Sequence, residues 1–120
     1  MILIIHEKIN KTELKKLCDT FFSTMVKFVV DVEKEIIAVG GELHADAEME
    51  LINLGSEQDN LWGANLYPYK MGDQRLEYTS LINIRPRQNN KGMEIESPPI
   101  RKKIKLLTEK LLLNANDHLA

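Results

Sequence analysis

Two runs rich in β-branched and aromatic residues, Met25 to Val32 and Glu35 to Val39, follow one another almost without a gap. Parallel pairing needs a crossover of about a dozen residues or more, so these runs are predicted to form an antiparallel hairpin. The intervening Val32-Glu33-Lys34-Glu35 contains neither Gly nor Asn, which leaves the turn type open.

On the N-terminal side, Met1 to Ile5 reads as a first strand. The helix after it is well signalled. Asn10 serves as N-cap with Glu13 three residues on, and Ile9 with Leu14 fits a hydrophobic staple. Leu14, Leu17, Cys18, Phe21 and Phe22 then form an apolar stripe with Lys15, Lys16 and Asp19 opposite. Cys18 therefore faces the core, a position that argues against a reactive thiol.

Beyond the hairpin, Gly40-Gly41 breaks the strand pattern, and Ala45 to Leu54 is predicted helical, with Gly55 as its stop. Leu61 to Tyr67 and Leu76 to Ile84 read as two longer strands joined around Gly72-Asp73, with Pro68 marking an edge or a bulge. Residues 85–97 form a polar loop. Ser97-Pro98-Pro99 opens a last helix whose buried stripe is Ile100, Ile104, Leu107 and Leu111. The order β-α-β-β-α-β-β-α predicts an α+β domain: a mainly antiparallel sheet with helices packed on one face. Residues 1–113 are expected to form that single domain, and residues 114–120 a frayed tail.

Composition agrees with one ordinary core: 120 residues, 43% hydrophobic and 28% charged. One cysteine permits no internal disulfide, so a reducing, cytoplasmic setting is expected. The apolar N-terminus is too short for a signal-peptide core, and no run approaches the ~18–20 apolar residues of a membrane span. No membrane association is expected.

The formal charge of −2 conceals a polarity. Residues 31–60 carry nine carboxylates against Lys34 alone, whereas residues 85–110 carry eight cations against three glutamates. Complementary solvated surfaces account for this most simply. Nucleic-acid binding is disfavoured, because the domain is not basic overall and residues 85–110 lack an aromatic side chain for base stacking.

Three stretches carry candidate chemistry. In Gly40-Gly41-Glu42-Leu43-His44-Ala45-Asp46, an extended backbone would place Glu42, His44 and Asp46 on one side. No second histidine lies nearby in sequence, so neither a metal site nor a cofactor is expected. The plain alternative is Asp46 capping the following helix. The second stretch is an internal echo, Asn65-Leu66-Tyr67-Pro68 and Asn83-Ile84-Arg85-Pro86. With the hairpin centred between Gly72 and Asp73, Asn65 and Asn83 point to opposite faces, and a bulge at Pro68 brings them to the same one. The third is the loop from Arg85 through Arg87 to Gly92, whose guanidinium groups suit carboxylate or phosphate.

The segments Val30 to Glu33, Gly40 to Asp46, Leu61-Trp62-Gly63 through Pro68, and Ile82 to Pro86 together resemble a family of small uncharacterised, mostly bacterial proteins of unknown function. That resemblance spans nearly the whole chain, implies one intact domain and adds no catalytic assignment. The leading expectation is a non-catalytic binding or interaction protein that recognises a small anionic ligand or a protein partner. It would use Arg85 and Arg87 toward an acidic or phosphate group and Asn65 or Asn83 for orientation, with self-association left open. The rival is a small enzyme with His44 as acid or base, positioned by Glu42 or Asp46, and Arg85 stabilising negative charge.

Overall fold

The computed structural model describes residues 1–120. Five strands, β1 (Ile2–Ile5), β2 (Val26–Asp31), β3 (Ile36–Gly40), β4 (Leu61–Leu66) and β5 (Leu76–Glu77), form one antiparallel sheet in the order β1-β3-β2-β4-β5. Three helices accompany it: α1 (Lys11–Phe21), α2 (His44–Asn53) and α3 (Pro98–Leu111). The architecture is α+β. Asn10 caps α1 by accepting the Glu13 amide at 2.8 Å, and Ser97 caps α3. The hairpin joins β2 to β3 as expected, and its turn works without glycine. Asp31 accepts the amides of Glu33 and Lys34 and the hydroxyl of Ser56, while Glu35 takes the left-handed conformation at φ +58°.

The helices do not share one face, as the sequence reading expected. Leu14, Leu17 and Cys18 of α1 and Ile104, Leu107 and Leu111 of α3 pack on Phe28, Val30, Ile37 and Val39, whereas Ala47 and Leu51 of α2 pack on Val29 and Ala38. The reason lies in the strand order. β1 and β2 are parallel with β3 between them, and β3 and β4 are parallel with β2 between them. Helices α1 and α2 thus make two crossovers that step the same way along the sheet on strands of opposite sense. Crossovers of one hand then require opposite faces.

Within residues 113–120, Leu119 is buried, its amide donates to the Pro68 carbonyl, and the Arg75 guanidinium donates to the carbonyls of Leu113, Asn114 and Asp117. A buried cation at the C-terminal end of α3 is favourably placed against the helix dipole. The second long strand ends after two residues. β5 pairs Asn65 with Glu77 and Leu66 with Leu76, and the chain then leaves the sheet in a 3-10 turn at Leu81–Asn83. Asn83 takes over the edge. Its Oδ1 accepts the Gly63 amide and its Nδ2 donates to the Gly63 carbonyl, both at 2.9 Å, so one carboxamide replaces a strand's pair of ladder bonds.

Candidate functional site

Helix α2 begins at His44, one residue before the sequence reading placed it, and its cap residue Leu43 supplies no side-chain hydrogen bond. Asp46 lies in the first turn, exposed, and does not cap the helix. Because the backbone is helical from His44 onward, Glu42, His44 and Asp46 do not converge. Glu42 and Asp46 border a separate hollow beside Met1 and Ile2. No group of three or more His, Cys, Asp or Glu side chains is gathered at metal-binding spacing.

His44 instead turns onto the sheet. Its ring is buried, and Nε2 lies 2.8 Å from the Ala64 carbonyl, which fixes the proton on Nε2 in the neutral ring and leaves Nδ1 an acceptor. Burial pushes the imidazole pKa below the ordinary histidine value, and the bond to Ala64 opposes that shift. The approach depends on Gly63. A Cβ there would stand 2.7 Å from Ser80 Cβ and 3.1 Å from His44 Cδ2. Glycine within a strand often marks such close packing.

Next to His44 is Asn65, also buried. Its Nδ2 donates to Glu77 Oε1 at 2.8 Å, which orients the amide, and its Oδ1 is buried without a hydrogen-bond partner. His44 and Asn65 both line one cleft of about 410 Å³. Lys27, Thr79 and Ser80 contribute further polar groups, and Leu43, Leu81, Ile82 and Met93 form apolar walls. Leu43 and Leu81 are largely exposed at its mouth.

The arginines are committed elsewhere. Arg85 is buried, stacks 4.0 Å over the Trp62 ring and donates to the carbonyls of Gln58 and Leu61, so it closes the open edge of β4. Its desolvation lowers the guanidinium pKa, and Glu48 opposes that shift. Arg87 is exposed and pairs with Asp59. Neither arginine lines the cleft, and no carboxylate hydrogen-bonds His44. Asn83 is fully buried on Gly63, away from the Asn65 cleft, so the two asparagines share no pocket. Of the seven residues singled out from sequence, the fold brings His44 and Asn65 together.

Sequence reasoning missed Gly63, Lys27 and the wall from Thr79 to Ile82. For Gly63 a signal existed, a lone glycine inside a strand. It also missed Asn90, which organises residues 83–96 by donating to the carbonyls of Asn83, Gly92 and Glu94 and accepting the Glu96 amide. The acidic and basic stretches meet in part, through Arg87 with Asp59 and Lys103 with Glu35.

These features define a small five-stranded α+β domain with a cleft floored by a buried imidazole and a carboxamide. By sequence, the chain belongs to a family described as protein of unknown function (DUF5674), which it matches over residues 3–111. No curated protein and no solved structure matches it. No helix is long and apolar enough to cross a membrane.

Proposed function

We propose that the chain is a non-catalytic cytoplasmic binding protein whose ligand occupies the cleft between the start of α2, β4 and residues 79–82. The ligand is a small amphipathic acid: an anionic head, an adjacent N–H or O–H donor, and a compact apolar body. One observation carries this reading. Asn65, nine-tenths buried at the cleft, keeps an acceptor oxygen without a partner, a state that costs about 1–3 kcal/mol until a donor arrives. The rest of the wall supports the same ligand. The ammonium of Lys27 and the uncapped start of α2 favour negative charge, and Leu43, Leu81 and Met93 suit an apolar body. The anionic character expected from sequence is kept, with Lys27 and α2 in place of the committed arginines.

The test is an amide-shift NMR titration of the full chain with short-chain hydroxy acids and N-acyl amino acids. Shifts are expected at Lys27, His44, Asn65 and Leu81, with binding weakened about tenfold or more by Lys27→Glu. Shifts that map instead to the hollow lined by Tyr78, Arg101 and Lys105, or no shifts at about millimolar acid, overturn the reading.

A further inference from the structure

The wall formed by residues 79–82 leaves main-chain groups open toward the cleft. Thr79 bridges Glu94 in an antiparallel pair whose hydrogen bonds run from the Ser80 amide to Met93 and from the Ile95 amide to Tyr78. Both bonds belong to flanking residues, so the amide and carbonyl of Thr79 face away from Glu94, toward Asn65 of β4. The Thr79 carbonyl meets Asn65 Nδ2 at a long 3.5 Å, and the Thr79 amide has no partner within the chain. On the facing wall, Asn65 Oδ1 is unpartnered. One wall thus lacks an acceptor for its amide, and the other lacks a donor for its oxygen. Nearby, the first-turn amides of His44 and Ala45 make no hydrogen bond, and Lys27, whose ammonium rests 5.2 Å from the Phe22 ring, is in no ion pair.

We propose, on the reading that this cleft is the ligand site, that its occupant is the carboxyl-terminal end of a polypeptide with an apolar last residue. A trans peptide group points its C=O and its N–H in opposite directions. Lying between the two walls, the last peptide group of such a chain accepts from the Thr79 amide and donates to Asn65 Oδ1. Its carboxylate meets Lys27 and the start of α2, and its last side chain lies against Leu43, Ile82 and Met93. A hydroxyl offers a single atom to both walls, whereas an amide offers one to each. The surface outside the cleft favours a polypeptide over a free acylated amino acid. Leu81 and Ile84 bracket a 3-10 turn, in which side chains three residues apart eclipse, and they are 72% and 43% exposed. Leu81 lines the cleft and Ile84 does not, so this apolar ledge runs outward from the mouth, where the preceding residue of a peptide covers it.

The test is an NMR titration of the full chain with acetyl-Ala-Val-Leu bearing a free carboxylate, its C-terminal amide, N-acetylleucine and 2-hydroxy-4-methylpentanoate. The acids are expected to shift His44, Asn65 and Thr79. The acid tripeptide should bind about tenfold more tightly than its amide or N-acetylleucine, and the hydroxy acid most weakly. Ile84→Ser, at an exposed position, should bring the tripeptide down to the affinity of N-acetylleucine and leave N-acetylleucine unchanged. If small acids shift the cleft but the tripeptide binds no more tightly than N-acetylleucine, the polypeptide occupant is overturned and the cleft stands as a small-acid site. A tripeptide amide equal to the acid, or a hydroxy acid equal to N-acetylleucine, overturns it as well. Failure of every acid to shift the cleft overturns the ligand site itself.

Discussion

Replacing Gly63 with alanine tests the packing that builds the cleft. The new methyl would stand 2.7 Å from Ser80 Cβ, 2.8 Å from Ser80 Oγ and 3.1 Å from His44 Cδ2, against a carbon–carbon optimum of about 3.5–4.0 Å. Neither neighbour is free to retreat. Ser80 is held by its amide to Met93 and by its hydroxyl to the Ile82 amide, and His44 is held by Ala64. Overpacking of this kind costs about 1–3 kcal/mol, while exchanging a strand glycine for alanine returns about 0.5–1 kcal/mol. A net loss of roughly 0–2.5 kcal/mol follows, centred on about 1 kcal/mol. Urea denaturation should show it as a midpoint lowered by some tenths of a molar to about 1 M at an unchanged slope. Ser80→Gly removes the obstructing atoms, so the double variant should recover stability relative to the sum of the singles, with a coupling of about 1 kcal/mol or more. If Gly63→Ala unfolds at or above the wild-type midpoint, or the two changes simply add, then Ser80 and His44 do not press on Gly63 and the cleft wall is misplaced.

Two more outcomes follow from buried charge. Because burial lowers the His44 pKa, the unfolded chain takes up the proton first as pH falls. The contribution of His44 to stability is therefore complete above about pH 6.5, declines as pH falls toward the lowered folded value, and levels off below it. The stability difference between wild type and His44→Gln, measured by urea titration from about pH 7.5 to 5, should shrink on acidification, and a flat difference contradicts the buried neutral ring. Arg75→Ala should free residues 113–120 from the guanidinium and cost about 2 kcal/mol or more. Limited proteolysis should then remove the tail faster than in wild type, and an equal cleavage rate would contradict the anchoring role.

Local signals in the sequence carried much of this architecture. Asn10 and Ser97 state where α1 and α3 begin because a cap is a contact between near neighbours, and the β-rich runs around residue 33 leave room for nothing but a hairpin. Gly55, at φ +101°, ends α2 as its identity suggests. What stayed hidden was set by distant partners. A helical stripe says that a face is buried, not which side of the sheet buries it, so the position of α2 follows only from strand order. Residues 79–84 look like strand because Leu, Ile and Thr are frequent there, yet their ladder role passes to the side chain of Asn83. Arg85 reads as a surface cation until Trp62 and two carbonyls enclose it. For the site, sequence supplied His44 and Asn65 individually. Their meeting depends on α2 starting at His44 and on a β4–β5 register three residues away from the one the Gly72-Asp73 turn implied.

A carboxamide is the only short side chain that offers a donor and an acceptor at the spacing of a peptide group. By completing the border of the sheet at Gly63, Asn83 makes further main-chain pairing there unnecessary, and residues 79–82 are released to stand away from the strand beside them. Had β5 run on to Ile84, its own side chains would have filled the space above Asn65 and His44. The recess is thus the room left by pairing that a single amide group renders redundant, and aspartate or leucine at position 83 would disturb the recess before touching anything bound inside it.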